Sequence, residues 1–336
     1  MKKKILLNIF IFLLTAGSIL AAPVQIKFAS LAPENTAWGK ALNKMAKEWS
    51  DASGGEVKLT IYHNGMLGSD ESEILKKLRT NSIQAAVFTS VGLNNISKKL
   101  FTLSCPFFIN DDAEMDYVLA NLGGDLEDTV EKSGYKLIAW SKIGWIRFFA
   151  RQPVSAPADL KKQKLAGPDD TPELSNLFKS LGYTVIPISY NDVLMALTSN
   201  KIDSVAQIPA FVASMQIFGI AKNMLSLDIA PVMGGIIMNQ VTWRRIPDKY
   251  KPRLLEIAKK IALENDKGAQ SINNEAISVM ARNGLSSTSP TPAQQKLWRD
   301  EIGGTMSSLV DNKNSVLDPE IYRRIEALLK TYRSGR

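Results

Sequence analysis

Strand-like and helix-like segments alternate along this chain, and the alternation restricts the possible folds more than any other feature. Apolar and polar residues alternate strictly over 24–30, a pattern that is typical of a strand. Further elements are indicated at 37–50 (helix), 56–62 (strand), 71–80 (helix) and 85–90 (buried strand). Because a connection through a helix brings the next strand back in the same direction, the order predicts parallel strands with covering helices.

A second set of the same kind occupies about 144–231. An α/β fold of two lobes is therefore predicted, with a cleft between them as the expected ligand site, since open α/β sheets bind ligands beyond the carboxyl ends of their strands. The strands indicated in this half are 136–141, 144–150, 164–167, 183–188 and 202–207, and the helices are 172–181 and 191–200.

Two helices are predicted after the second set. The first covers 252–283, with Pro252 in its first turn and Gly284 beyond its end. A helix of this length reaches about 48 Å, which is enough to bridge two lobes. The second covers 319–333 and has an apolar stripe.

The first 22 residues read as a secretory signal. Three lysines precede the apolar run 5–14, and the small-residue segment 15–22 follows. The apolar run is short for a membrane span, which needs about 20 residues. Ile19 and Leu20 fit a cleavage site poorly, so an uncleaved N-terminal anchor is a second interpretation. Either way the rest of the chain is expected outside the cytoplasm.

Composition argues against most enzyme classes. The chain has one histidine, His63, and one cysteine, Cys105, so neither a Cys/His zinc site nor an intramolecular disulfide can form. No motif for a nucleophile, a phosphate-binding loop or a dinucleotide is present. The pairs at 111–112 and 169–170 are interpreted as turn and cap residues. We expect no enzyme activity, no catalytic residues, no cofactor and no metal.

The positive charge of the chain is modest. The formal net charge is +8, and three of the lysines belong to the signal segment. The remaining basic residues are scattered and do not form a patch, so nucleic acid is not an expected partner.

Five segments, in this order, resemble the periplasmic substrate-binding (P) subunits of TRAP transporters, the DctP family. Single segments are weak evidence, but the ordered set covers about 24–330. The segments are NGMLGSDESEILKKLRTNSIQAAVFTS (64–90), LSCPFFINDDAEM (103–115), PVSAPADLKKQKLAGPDD (153–170), LGYTVIPISYNDVLMALTSNKIDSVAQ (181–207) and RRIPDKYKPRLLEIAKK (244–260).

The resemblance implies a two-lobed, type II-like periplasmic binding protein with a long helix bridging both lobes. It also implies that the lobes close on a ligand and deliver it to a membrane permease. The expected division is 1–22 as signal peptide, 23–143 plus 232–271 as domain I, 144–231 plus 272–325 as domain II, and 319–336 as a C-terminal helix.

The ligand-binding residues of the family are only partly present. The arginine that pairs with the carboxylate of the usual ligand is replaced by Ala166, and a second arginine position reads Ile146, with Arg147 one residue away. The resemblance therefore implies a hydrophobic or amphipathic ligand. Tyr190 and Gln207 are expected to orient the ligand by hydrogen bonds. The predicted ligand-binding residues are Leu31, Phe88, Thr89, Ser90, Ile146, Arg147, Ala166, Tyr190, Gln207, Phe211 and Met233.

A treponemal branch of the family lacks the same arginine, and the chain is most similar to it. That similarity implies a periplasmic tetratricopeptide-repeat protein as a possible second partner. Two alternatives stay open. The chain could bind an organic acid through Arg147 or Arg151, or it could be a structural or signalling ectodomain without a transport role.

Overall fold

The computed structural model describes residues 22–169, 172–313 and 315–335. The predicted signal segment lies outside the described residues except for its last position. The strands are β1 (Val24–Ala29), β2 (Val57–Tyr62), β3 (Ala85–Thr89), β4 (Tyr135–Ala150), β5 (Lys164–Pro168), β6 (Thr184–Ile188), β7 (Ser204–Gln207), β8 (Asn223–Leu225), β9 (Ala230–Asn239) and β10 (Ser286–Thr288).

Helices cover these strands, and most of the helices predicted from the sequence are present with bounds shifted by one or two residues. They are α1 (Ala37–Ala52), α2 (Glu71–Arg79), α3 (Ser90–Asn94), α4 (Lys98–Phe101), α5 (Asp112–Lys132), α6 (Pro157–Lys161), α7 (Pro172–Ser180), α8 (Val193–Thr198), α9 (Pro209–Ser214), α10 (Gln240–Arg245), α11 (Lys251–Arg282), α12 (Pro292–Trp298), α13 (Gly304–Leu309) and α14 (Pro319–Ser334).

The strands form two lobes that share β4. Lobe I has the order β2-β1-β3-β9-β4, and lobe II continues it as β7-β5-β6, with β8 beside β4 and β10 beside β8. The predicted parallel pairing is confirmed for β1 with β2 and β3, and for β5 with β6 and β7. The long strands β4 and β9 run antiparallel to each other and link the two parallel groups.

Strand β4 is longer than the sequence predicted. The sequence indicated two strands at 136–141 and 144–150, whereas the structure has a single strand whose pairing with β9 shifts register between Lys142 and Gly144. Gly144 has a φ of 148°, and a Cβ placed there would lie 2.7 Å from Nδ2 of Asn273. The polar interruption in the sequence is therefore a bulge within one strand and not a turn between two.

Helix α11 contacts both lobes, as the fold prediction required. Near its start, Nε1 of the fully buried Trp49 donates to the carbonyl oxygen of Leu254 at 3.0 Å. Near its end, Met280 packs in the hydrophobic core of lobe II. The 32 residues of this helix thus span the junction.

Two polar side chains of α11 hold β4 at the junction. Asp266 accepts hydrogen bonds from Oγ of Ser141 at 2.8 Å and from the backbone N–H of Lys142 at 2.9 Å. Asn273 donates to the carbonyl oxygen of Ile143 at 3.3 Å and accepts from the backbone N–H of Ala210, in lobe II, at 3.0 Å. Asn273 therefore connects β4 to the first turn of α9.

The C-terminal helix α14 packs on lobe I. Ile321, Ile325 and Leu329 are buried in the same core as Met115 and Val118 of α5. The guanidinium of Arg333 pairs with Glu114 of α5 at 2.7 Å. The sequence stripe on α14 thus faces α5, a helix that the sequence reading did not identify.

We expect Asn273→Ala to destabilise the protein by about 2 kcal/mol, because it leaves the N–H of Ala210 without its acceptor. The free energy of unfolding in urea measures this. Asn274→Ala is the matched control, since the Asn274 side chain is exposed on the same helix. Equal free energies for the two variants would contradict the role assigned to Asn273.

Candidate functional site

A cavity of about 390 Å³ lies between the two lobes. The carboxyl ends of four parallel strands open into it, with Leu31 just after β1, Ser90 just after β3, Pro168 ending β5 and Gln207 ending β7. Its volume is within the range of pockets that bind small molecules. The cavity therefore occupies the position that the α/β topology predicts for a ligand.

Nine of the eleven residues selected from the sequence line this cavity. They come from both lobes and from the strands that join them. The nine are Leu31, Phe88, Thr89, Ser90, Ile146, Ala166, Tyr190, Gln207 and Phe211.

Met233 does not line the cavity. It is 1% exposed and packs in the core of lobe I with Leu103 and Ile237. Successive side chains of a strand point to opposite faces, and Val232 and Gly234 are the neighbours that line the cavity. The expectation for Met233 was therefore one residue out of register.

Arg147 also lies outside the cavity. Ile146 and Phe148 line it, and the Arg147 side chain leaves the opposite face of β4, where Nε donates to Oδ1 of Asp228 at 2.8 Å. A small separate pocket of about 30 Å³ contains this pair together with Trp145. Arg147 is thus engaged with a carboxylate away from the cleft.

Arg151 is held elsewhere in lobe II. Its guanidinium donates to the carbonyl oxygen of Leu197, and its Nε lies 3.8 Å from Oδ1 of Asp203. Like Arg147, Arg151 is not among the residues that line the cavity.

Apolar side chains form most of the cavity wall. The rings of Tyr190 and Phe211 lie 4.4 Å apart between centroids. Ala166 packs against the same lobe II cluster, and Ile143 and Val232 join it from the linking strands. The wall therefore favours contact with a hydrocarbon surface.

The charged residues that line the described cavity are all acidic: Asp70, Glu71 and Asp169. No lysine, arginine or histidine is among the described residues of the lining. Asp70 caps α2 by accepting from the N–H of Glu73 at 2.7 Å. The side chain of Glu71, which is 8% exposed, accepts from the N–H of Thr89 at 2.6 Å and from its hydroxyl at 2.8 Å.

Six uncharged polar side chains of the cavity make no hydrogen bond to a described residue, among them the indole N–H of Trp38, the hydroxyl of Ser104 and the amide of Asn265. The other three are the hydroxyls of Ser90 and Tyr190 and the amide of Gln207. Burial raises the pKa of the Tyr190 hydroxyl, and the nearby charge of Glu71 raises it further, so this hydroxyl is protonated at neutral pH. The groups of Ser90, Tyr190 and Gln207 can therefore all donate as well as accept a hydrogen bond.

The lobes touch each other at the rim of the cavity. Nδ2 of Asn191 in lobe II donates to the carbonyl oxygen of Ser69 in lobe I at 3.0 Å. Trp38, at the start of α1 in lobe I, packs against the core cluster of lobe II. Both contacts join protein to protein, so they hold the lobes together without involving a ligand.

Trp38, Leu42 and Met45 line the cavity but were not selected from the sequence. Trp38 precedes Leu42 by four residues and Met45 by seven, so all three lie on one face of α1. The helical spacing of these three residues could therefore have indicated a shared face, but a face that packs in an ordinary core has the same spacing.

The residues singled out for chemistry have structural roles. Asp111 caps α5 by accepting from the N–H of Glu114 at 2.8 Å, as the sequence reading predicted. His63 is 5% exposed, with Nε2 3.0 Å from Oδ1 of Asn43, so it is a buried, hydrogen-bonded residue. Cys105 is 1% exposed, and burial raises the pKa of its thiol.

Neither a metal site nor a membrane span is found in the part of the chain that the structure describes. No three or more His, Cys, Asp or Glu side chains there are grouped so that they could hold a metal ion. No described helix is long and apolar enough to cross a bilayer.

Two lobes around a cavity, joined by crossing strands and a long helix, are the architecture of a solute-binding protein. Residues 28–311 match the family model of bacterial extracellular solute-binding proteins, family 7 (DctP), and the chain belongs to this family. Members of this family are solute-binding proteins.

Curated relatives are similar over most of their length. The C4-dicarboxylate-binding protein DctB of Bacillus subtilis is 26% identical over 77% of this chain and 74% of its own. The 2,3-diketo-L-gulonate-binding periplasmic protein YiaO of Escherichia coli is 24% identical over 76% of this chain and 77% of its own.

Solved structures share the fold at low sequence identity. The sugar acid binding protein DctPAm of Advenella mimigardefordensis, in complex with galactonate, has a TM-score of 0.84 and 18% identity, covering 92% of this chain and 99% of that one. A TRAP periplasmic solute-binding protein of Sulfurospirillum deleyianum with bound succinate has a TM-score of 0.82 and 19% identity, covering 91% and 99%.

We expect Asn191→Ala to weaken binding of a cavity ligand by about fivefold. The variant removes the hydrogen bond between Asn191 and Ser69, and a hydrogen bond of this kind contributes about 1 kcal/mol. Displacement of a neutral fluorescent apolar probe, N-phenyl-1-naphthylamine, measures the affinity. Asn274→Ala, on the outer face of α11, is the control. Unchanged probe affinity in Asn191→Ala would contradict a role of this contact in holding the lobes together.

Proposed function

We propose that this protein is the extracytoplasmic solute-binding subunit of a TRAP-type secondary transporter and that its ligand is hydrophobic or amphipathic. The observation that carries the proposal is the cavity wall, which is largely apolar and, over its described residues, contains no basic side chain. The ligand enters between the lobes, the lobes close, and the complex passes its ligand to a membrane permease.

Apolar contact alone is sufficient for useful affinity. At about 25 cal/mol per Å², burying roughly 300 Å² of ligand surface contributes about 7–8 kcal/mol before the costs of association are subtracted. An organic acid would lose its hydration in the same cavity without a cation to replace it, at a cost of several kcal/mol. The wall therefore favours a ligand with a large apolar part.

An organic acid is the second candidate, because the solved relatives include proteins with bound succinate and galactonate. In this chain such a ligand would need a cation from outside the cavity wall. Arg147 would have to leave Asp228, and Arg151 would have to leave Asp203 and the carbonyl oxygen of Leu197. Those competing contacts support the apolar candidate over this one.

The proposed location is the periplasm, after removal of residues 1–22. The first partner is the permease of the transporter, and the division into domains I and II given above is part of the proposal. A periplasmic tetratricopeptide-repeat protein is proposed as the second partner, on the resemblance of the sequence to the treponemal branch. The mass of the mature protein tests the cleavage, since a retained 1–22 would favour a membrane-anchored ectodomain.

Denaturing extraction of the natively purified protein, followed by mass spectrometry, should release a fatty or otherwise apolar molecule at about one per chain. The expected result follows from a cavity that exposes apolar surface to water when it is empty. The unfolded protein, refolded in lipid-free buffer, is the control. Release of a dicarboxylate or sugar acid alone would overturn the apolar proposal in favour of the organic-acid candidate.

Ala166→Arg should lower the affinity for N-phenyl-1-naphthylamine at least about tenfold, because it places an unpaired charge in the apolar wall. Thr184→Arg is the matched control: Thr184 is exposed on β6, the strand next to Ala166 in the sheet, and does not line the cavity. The same affinity in both variants would show that Ala166 does not contact the ligand.

A further inference from the structure

The cavity's unused hydrogen-bonding groups specify the polar end of the ligand. We infer that the ligand is an amphiphile with an uncharged polar end, such as a hydroxyl, ester or amide group, received by Ser90, Tyr190 and Gln207. This inference rests on the proposed function and narrows it, because an amphipathic ligand could also carry a carboxylate or an ammonium group.

Ser90 provides the contact from lobe I. The residue is 3% exposed, lines the cavity, and its hydroxyl has no hydrogen-bond partner among the described residues. A hydroxyl that lies beside a cavity and has no protein partner is available to a group from outside the chain. A ligand atom in the cavity supplies one.

Tyr190 and Gln207 provide the contacts from lobe II. Both line the cavity, and neither side chain makes a hydrogen bond to a described residue. Together with Ser90 they present two hydroxyls and one amide, and each of these groups both donates and accepts. These three groups suit a ligand group that both donates and accepts hydrogen bonds. Together they would bind that group from both lobes.

Two of the three charged side chains of the wall accept hydrogen bonds from the protein, and the third, Asp169, is exposed to solvent. The carboxylate of Glu71 receives the N–H and the hydroxyl of Thr89, and that of Asp70 receives the N–H of Glu73. Their hydrogen-bonding capacity is used in holding α2 and β3 in place. Away from the exposed Asp169, the hydrogen-bonding capacity that is left in the cavity is therefore carried by uncharged groups.

The charge of Glu71 also opposes a carboxylate ligand. It is close enough to Tyr190 to raise the pKa of that hydroxyl. An anionic ligand group held by Tyr190 would lie beside the same charge, in a site where water is largely excluded. A fatty acid should therefore bind more weakly than the matching alcohol.

The test compares three twelve-carbon compounds as competitors of N-phenyl-1-naphthylamine on the full chain at pH 7.5. They are dodecanol, dodecanoate and dodecylammonium, which differ in the charge of one end. Dodecanol should displace the probe at a concentration about tenfold lower than either charged compound. Dodecanoate or dodecylammonium displacing it as well as dodecanol would overturn the inference while leaving the apolar cavity intact.

Binding of the probe distinguishes a failure of the proposed function from a failure of the inference. If N-phenyl-1-naphthylamine and all three compounds fail to bind, the apolar cavity proposal is wrong, and the inference falls with it. If they bind, the order of the three compounds decides the inference alone.

Variants locate the polar group. Tyr190→Phe and Gln207→Leu should each reduce the preference for dodecanol over dodecanoate severalfold, because each removes a hydrogen-bonding group and keeps the apolar bulk. Glu71→Gln should also reduce that preference, because removing the negative charge strengthens the binding of dodecanoate. Tyr117→Phe, on α5 away from the cavity, is the control for Tyr190→Phe. An unchanged preference in Tyr190→Phe and Gln207→Leu would overturn the assignment.

Discussion

The contact between Asn273 and the bulge at Gly144 fixes how the two lobes are joined. The bulge brings backbone close to α11, and a Cβ at residue 144 would lie 2.7 Å from the amide nitrogen of Asn273. The amide then holds β4 through Ile143 and lobe II through the N–H of Ala210. Because β4 and α11 both run through the two lobes, the position of one lobe against the other depends on this point.

The cavity is a consequence of that junction. Once β4 and β9 cross between the lobes, the carboxyl ends of β1 and β3 face those of β5 and β7. The loops at these ends need not fill the space, so a cavity remains where a single lobe would have a surface. The crossing strands line it as well, since Ile146 and Val232 lie on their inner faces.

The sequence predicts local structure well wherever one periodicity is clear. Strands β1 and β2 and helix α11 were placed within two residues, because their apolar patterns have a single period. Strand β4 was divided in two, because the polar residues at its bulge look like a turn. Helix α5 was not identified, since two adjacent glycines, Gly123 and Gly124, weaken its helical signal.

The residues of the candidate site could be predicted from the sequence where they lie at the ends of strands, because the ends of strands could themselves be predicted. Residues that end or follow a strand, such as Ser90 and Gln207, could be placed beside the cavity from topology. Which face a mid-strand side chain takes depends on an unbroken register, and the pairing of β4 with β9 shifts twice, between Leu137 and Ala139 and between Lys142 and Gly144. Met233 and Arg147 were therefore placed on the wrong side of their strands, whereas Trp38 needed the packing between lobes that no local pattern contains.

Closure of the lobes and recognition of the ligand use different groups in this protein. Asn191 bonds to the backbone of Ser69, and Trp38 packs on the other lobe, whatever the cavity contains. These contacts do not depend on the charge of the ligand, so the lobes meet around a wall that has no basic side chain among its described residues. In the proposal, the free energy of binding then comes from the apolar ligand surface that is buried in the cavity and from hydrogen bonds to uncharged groups. A fold whose solved relatives include carboxylate-bound proteins is thereby compatible with the uncharged ligand proposed for this chain, because the groups that line the cavity differ from the groups that join the lobes at the rim and the junction.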